Sequence, residues 1–159
     1  MLAGDLIMRI RVSSGAVLFA AILLTACSKP TALPSPPPDA GTKAILATLP
    51  AAYQNADLEN GQSNLALCKA CHTLNQGAQA AAGPNLWGVF GRKAGSQPGF
   101  DYSEGMKRLN VVWDADRLNT WITRPSAMVP GTRMSYIGME SAKDRIDLIA
   151  ALKVATTAK

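Results

Sequence analysis

Apolar residues fall into periodic runs separated by stretches rich in glycine and proline. Residues 12 to 26, VSSGAVLFAAILLTA, form an uncharged run of 15 behind Arg9 and Arg11 and directly ahead of Cys27. The run is short of the roughly 18 to 20 apolar residues a spanning helix needs, and its basic flank matches an export signal. A second run, Asp57 to Lys69, sets Leu58, Gly61 and Leu65 at i, i+3 and i+7 and predicts an amphipathic helix. From Gly77 to Gly105 seven glycines and two prolines predict looped chain wrapped around something, not a hydrogen-bonded sheet. Asp114, an N-cap residue, precedes a short helix to Thr123 with Leu118, Trp121 and Ile122 on one face, ended by Pro125. The last run starts at Ser141, with Asp144 three residues on as in a capping box, and carries Ile146, Ile149, Ala150 and Lys153 at helical spacing. No strand-like alternation of any length and no internal repeat is present. The expected class is mostly α with long loops.

The pattern divides the chain into a leader over residues 1–26, a linker over 27–48 and a folded domain over 49–159. The linker contains SKPTALPSPPPDAGTK, whose five prolines and small polar residues predict extended chain of polyproline II character. At the leader's end, Leu24-Thr25-Ala26-Cys27 resembles the bacterial lipobox. That resemblance implies acylation of Cys27 and a domain tethered by lipid on the periplasmic side of the cell envelope. Charge changes the picture little. The formal net charge of +5 becomes +4 from Cys27 onward, once Arg9, Arg11 and Asp5 are set aside, and the cationic residues are scattered. No dense basic run supports a nucleic-acid function.

The candidate chemistry sits in LALCKACHTL, residues 65–74, which holds Cys68, Cys71 and the chain's one histidine, His72. Zinc needs about four N or S ligands, and beyond these three the chain offers only Cys27. A redox Cys-x-x-Cys of thioredoxin type would sit at a strand-to-helix junction, and no strand is predicted. Covalent haem suits the motif: two thiols three residues apart at a helix end can each add to a vinyl group, and the following imidazole turns beneath the iron. With no second histidine, the sixth position falls to a methionine, a lysine or no protein ligand. Of Met106, Met128, Met134 and Met139, Met134 stands out because VPGTRM places it just after Pro130 and Gly131, in a turn able to present a thioether.

CKACHT, GPNLWGVFGRKAG, PGFDYSEGMK, VVWDADRLNTWITRP, VPGTRM and DLIAALK follow one another in the order and at nearly the spacing of the class I c-type cytochromes. The chain resembles that family over residues 50 to 155, close to mitochondrial cytochrome c and its bacterial membrane-bound relatives. The resemblance implies the cytochrome c fold around one haem c, thioether bonds from Cys68 and Cys71, and iron ligation by His72 and Met134. It implies that the Pro84 carbonyl accepts the ligand imidazole's N–H and that Arg92, Tyr102 and Trp113 hydrogen-bond the haem propionates. Gly61 matches the glycine where the first and last helices cross, with Ala151 standing where an aromatic residue is usual. Trp121 stands where a tyrosine is usual near the methionine sulfur. The function implied is electron carriage, not catalysis: a monomer passing single electrons from a quinol:cytochrome c oxidoreductase to a terminal oxidase or another redox complex. Alternatives are a dedicated subunit of a dehydrogenase or oxidase complex, and a haem peroxidase or sensor in which Met134 dissociates.

Overall fold

The computed structural model of the protein describes residues 37–157, all within one compact unit. The expected leader, the lipobox with Cys27 and the first part of the linker lie outside the described residues. Seven helices form among those described, joined by loops, with one isolated antiparallel bridge between Lys93 and Val112.

The first helix, α1 (Ala40–Leu46), forms within residues 27–48, which the sequence expectation gives to the linker. The Asp39 carboxylate caps it by accepting the Thr42 N–H at 2.7 Å, and Thr42, Ile45 and Leu46 are buried together with Leu49 beyond its end. The proline-rich approach hides this helix in sequence. ILATL nevertheless supplies apolar side chains one turn apart, enough to seat a short helix on a neighbour. The neighbours are α2 (Ala51–Gln54) and the last helix. In α2 the buried Tyr53 donates its hydroxyl to the Asp116 carboxylate at 2.9 Å; burial first, and then that bond, push its pKa up to about 12.

The three helices predicted from periodicity form as expected. In α3 (Leu58–Lys69) the Asp57 carboxylate accepts the Glu59 and Asn60 N–H groups, each at 3.1 Å. A short α4 (Glu104–Arg108), capped by Ser103, interrupts the loops. Asp114 caps α5 (Ala115–Thr123), and Arg124 leads at once into α6 (Pro125–Met128), with proline in the first turn where its missing N–H costs nothing. In α7 (Ala142–Ala155) the Ser141 hydroxyl accepts the Asp144 N–H at 3.2 Å. The Asp144 carboxylate meanwhile accepts the Asn60 side-chain amide of α3 at 2.8 Å, so the capping residue also ties two helices together.

The core is centred where α3 crosses α7. A Cβ at Gly61 would lie 2.2 Å from the Asp147 carbonyl oxygen and 2.8 Å from the Ala151 Cβ, so the backbones meet there without an intervening side chain. Leu65, Ile149, Ala150 and Ala151 are fully excluded from solvent. Ala151, small where the family resemblance expects an aromatic ring, allows this approach. Beside the crossing, Asp147 is buried. Its carboxylate accepts the Asp57 N–H at 2.9 Å, the Asn60 amide at 2.7 Å and the Lys143 ammonium at 2.6 Å. Burial alone would raise its pKa, but these donors hold it below the usual carboxylate range.

Candidate haem site

The fold delivers the attachment motif at the C-terminal end of α3. The helical turn continues past Lys69, with the Cys71 N–H and the His72 N–H both reaching the Cys68 carbonyl, at 3.1 and 2.9 Å. The chain then loops and returns beside itself. Gly83 N–H donates to the Cys71 carbonyl at 2.7 Å and Leu86 N–H to the Thr73 carbonyl at 2.9 Å. Asn85, buried between them, fixes this return by donating its amide to the Asn75 and Ala78 carbonyls and accepting the Trp87 N–H.

The return positions two groups against His72. The Pro84 carbonyl oxygen lies 2.7 Å from Nδ1, as the sequence expectation has it. Gly83 lies flat against the ring: a Cβ there would fall 2.4 Å from Cε1 and 2.7 and 2.8 Å from the two ring nitrogens. Any larger residue would displace the imidazole. Sequence reading passed over Gly83, although its place directly before Pro84 was a signal. With Nδ1 committed as donor to Pro84, Nε2 carries the free lone pair. Burial lowers the His72 pKa, against the Pro84 bond, and so favours the neutral imidazole. Cys68 and Cys71 are free thiols, and burial, then the neighbouring Cys71, raise the Cys68 pKa.

Arg92, Tyr102 and Trp113 also come together. Gly91 N–H donates to the Trp113 carbonyl at 2.7 Å and the Trp113 backbone N–H to the Arg92 carbonyl at 2.9 Å, which pairs the backbone of the buried Trp113 with that of Arg92. The Arg92 guanidinium donates to the carbonyls of Asn85 (2.8 Å) and Trp87 (2.9 Å) and to the Gln97 side chain. Tyr102 is half-buried near enough to Arg92 for each to influence the other's ionisation, burial being the larger effect on both. Gln97, absent from the sequence expectations, braces this group. Trp121 is buried with its ring 5.8 Å from that of Trp113.

Met106 and Met139 are buried in the core, whereas Met128 and Met134 are half-buried and pack against its edge. Met134 follows a turn in which Gly131 has φ +74, Thr132 N–H reaches the Val129 carbonyl at 3.1 Å and the Thr132 hydroxyl accepts the Met134 N–H at 3.2 Å. A half-buried apolar rim of Leu86, Leu109, Val111, Tyr136 and Ile146 packs against the same core.

The donor set fits a haem. Two free thiols precede a fixed imidazole whose Nδ1 is committed to a carbonyl, Gly83 leaves room for that ring, and half-buried apolar side chains, Met134 among them, pack against the adjoining core. Among the described residues no three His, Cys, Asp or Glu side chains gather as a bare metal ion would need.

No family model matches the chain. It is 41% identical over 101 residues to cytochrome c2 of Rhodomicrobium vannielii, covering 64% of this chain and 81% of that protein. It is 43% identical over 89 residues to cytochrome c of Sesamum indicum, covering 56% of this chain and 80% of the relative. Among solved structures, cytochrome cH from Methylobacterium extorquens superimposes with a TM-score of 0.58 at 37% identity, over 62% of this chain and 99% of that one. The chain belongs to the class I c-type cytochromes. It takes one covalently bound haem c and is an electron carrier, not an enzyme, so the peroxidase alternative is set aside.

Proposed function

We propose that the protein is a lipid-tethered monohaem cytochrome passing single electrons between respiratory complexes on the periplasmic side of a bacterial envelope, from a quinol:cytochrome c oxidoreductase to a terminal oxidase. The observation that carries the electron-transfer part is the 2.7 Å contact of His72 Nδ1 with the Pro84 carbonyl, backed by Gly83 against the ring. An imidazole held this rigidly keeps its orientation when the charge beside it changes, so little has to rearrange as an electron passes. Cys68 and Cys71 are the thioether residues, and His72 and Met134 the axial ligands. The Met/His pair gives haem iron a one-electron couple of raised potential. Arg92, Tyr102 and Trp113 receive the propionates, with Asn85, Trp87 and Gln97 holding the guanidinium in place.

The tether rests on the sequence: the leader over residues 1–26, Cys27 as the acylated residue, and a proline-rich linker. Among the described residues no helix is long and apolar enough to cross a membrane. With α1 part of the domain, the linker runs from Cys27 to Asp39. At roughly 3.1 Å per residue that is a reach of about 35 to 40 Å, enough to swing the domain between neighbouring complexes at high effective concentration. One acyl chain binds marginally and two anchor stably. Mature protein made with haem maturation machinery is expected to give a haemochrome band in alkaline pyridine and to stay with membranes through high-salt washing. Cys27→Ser is expected to wash off with an unaltered spectrum. Wild-type protein released by salt, or an unmodified mature N-terminus by mass spectrometry, would show a freely diffusing carrier.

A further inference from the structure

Among the described residues, four ion pairs join residues within a helical turn, whereas Arg133 and Asp101 join two loops 32 residues apart. The Arg133 guanidinium lies 3.0 Å from one Asp101 carboxylate oxygen and also donates to the Asp101 backbone carbonyl. The other carboxylate oxygen takes Lys107, of α4, at 3.3 Å; Lys107 in turn bonds Glu104 at 3.0 Å, and Glu104 lies 3.7 Å from Arg108. Asp101 thus stands between the residue immediately before Met134 and a helix capped by Ser103. Hydrogen bonds from Arg133 and then Lys107 hold its carboxyl below the usual range.

The segment so gripped packs Met134 and Tyr136 against the core but makes few hydrogen bonds. Between the Val129 N–H bond to Pro125 and the Met139 N–H bond to Ile122, the chain has the Thr132 turn bond, the Thr132 hydroxyl bond to Met134 and the Arg133 contacts. No regular element runs from Val129 to Ser141. The turn is instead packed from one side by α4, where a Cβ on Gly105 would come 2.8 Å from the Val129 side chain. The residue α4 caps from, Ser103, is two positions beyond Asp101. The carboxylate therefore couples two contacts between the same pair of segments.

We propose that Asp101 is a positioning residue for the sixth ligand: its carboxylate latches the turn carrying Met134 and so resists displacement of the thioether by incoming ligands. This rests on the reading of Met134 as the axial ligand. The pair is exposed, so its contribution is modest and screened by salt. The displacement is a plain exchange, in which the nitrogen of an added imidazole takes the position the methionine sulfur leaves and no electron moves.

The test uses oxidised holoprotein titrated with imidazole, following loss of the weak band at the red end of the spectrum that marks iron–thioether bonding. At low salt Asp101→Asn is expected to bind imidazole about 2- to 5-fold more tightly than wild type. Asp101→Glu should restore most of the resistance. Arg133→Gln should reproduce the gain, and the Asp101→Asn, Arg133→Gln double variant should add little to either single change. In about 1 M salt, where the Debye length is near 3 Å, the difference should collapse. A purely structural role would instead lower the urea midpoint and leave imidazole affinity alone. Equal affinity of Asp101→Asn and wild type at low salt, or an undiminished gain at high salt, overturns the latch. A wild-type spectrum without the red-end band, or a band that survives Met134→Ala, overturns the ligand assignment and the latch with it.

Discussion

Replacing Gly61 by alanine adds one methyl group at the point where α3 and α7 touch. That Cβ would sit 2.2 Å from the Asp147 carbonyl oxygen, 2.7 Å from the Asp147 carbonyl carbon and 2.8 Å from the Ala151 Cβ. Two of the three neighbours are backbone, so no rotamer change relieves the overlap, and the shortfall from ordinary contact is about 1 Å. The helices must part. The separation opens the packing of Leu65 against Ile149, Ala150 and Ala151, and pulls Asn60 and Asp57 away from the buried Asp147. Overpacking of this kind costs about 3 kcal/mol at the upper end of its usual range. Alanine regains up to about 1 kcal/mol of helix propensity. The net expectation is a loss of about 2 kcal/mol, which for a domain of this size lowers the melting temperature by about 8 °C. Far-UV circular dichroism of the holoprotein against temperature reads it. Ala151→Gly in the same chain should recover only part of the loss, because it removes the Ala151 methyl contact and leaves the carbonyl in place. An unchanged midpoint for Gly61→Ala, or full rescue by Ala151→Gly, would refute the close backbone crossing.

Asp147 should give the protein an acid-labile component. Its pKa is depressed in the folded state by Lys143, Asn60 and the Asp57 N–H despite burial, so its contribution is present above the unfolded carboxylate value of about 3.9 and is lost as pH falls through the lower folded value. Asp147→Asn is expected to lose about 1 to 3 kcal/mol at neutral pH and to show a flatter decline below about pH 4 in urea titrations, Asp101, Glu104 and Asp144 supplying what slope remains; a parallel decline in both proteins would discount the network. At the iron, Met134→Ala should abolish the red-end band of the oxidised spectrum while Met128→Ala keeps it, and the reverse outcome would transfer the ligand role to Met128.

The class of protein was legible without coordinates because its chemistry is local. CKACH places two thiols and an imidazole within five residues, and three helices are written in spacing and caps: Asp57 before α3, Asp114 before α5, Ser141 before α7. Each capping signal lies within a turn of the residues it governs, and all three helices form. The glycines of residues 77–105 likewise announced looped chain, and five of the seven glycines at positive φ among the described residues, Gly77, Gly88, Gly91, Gly95 and Gly99, lie in it. The position of Pro84 opposite His72 came from family resemblance, and the 2.7 Å contact agrees with it.

What tertiary structure decided was which distant groups meet. Helix α1 was lost behind prolines because its few apolar residues acquire meaning only against α2 and α7. Asp147 looked like one more acidic residue on a helix; its donors Asp57 and Asn60 lie 90 and 87 residues away. Gly83, beside Pro84 in sequence, meets the imidazole only where the loop returns, and Asp101 and Arg133, 32 residues apart, come to 3.0 Å only through the chain's path. Periodicity and capping depend on bonds closed within a turn, so they can be read along the chain. Contacts across a loop depend on where the chain returns, and here that return is set by packing on the α3–α7 crossing and by the carbonyls that Asn85 and Arg92 bind.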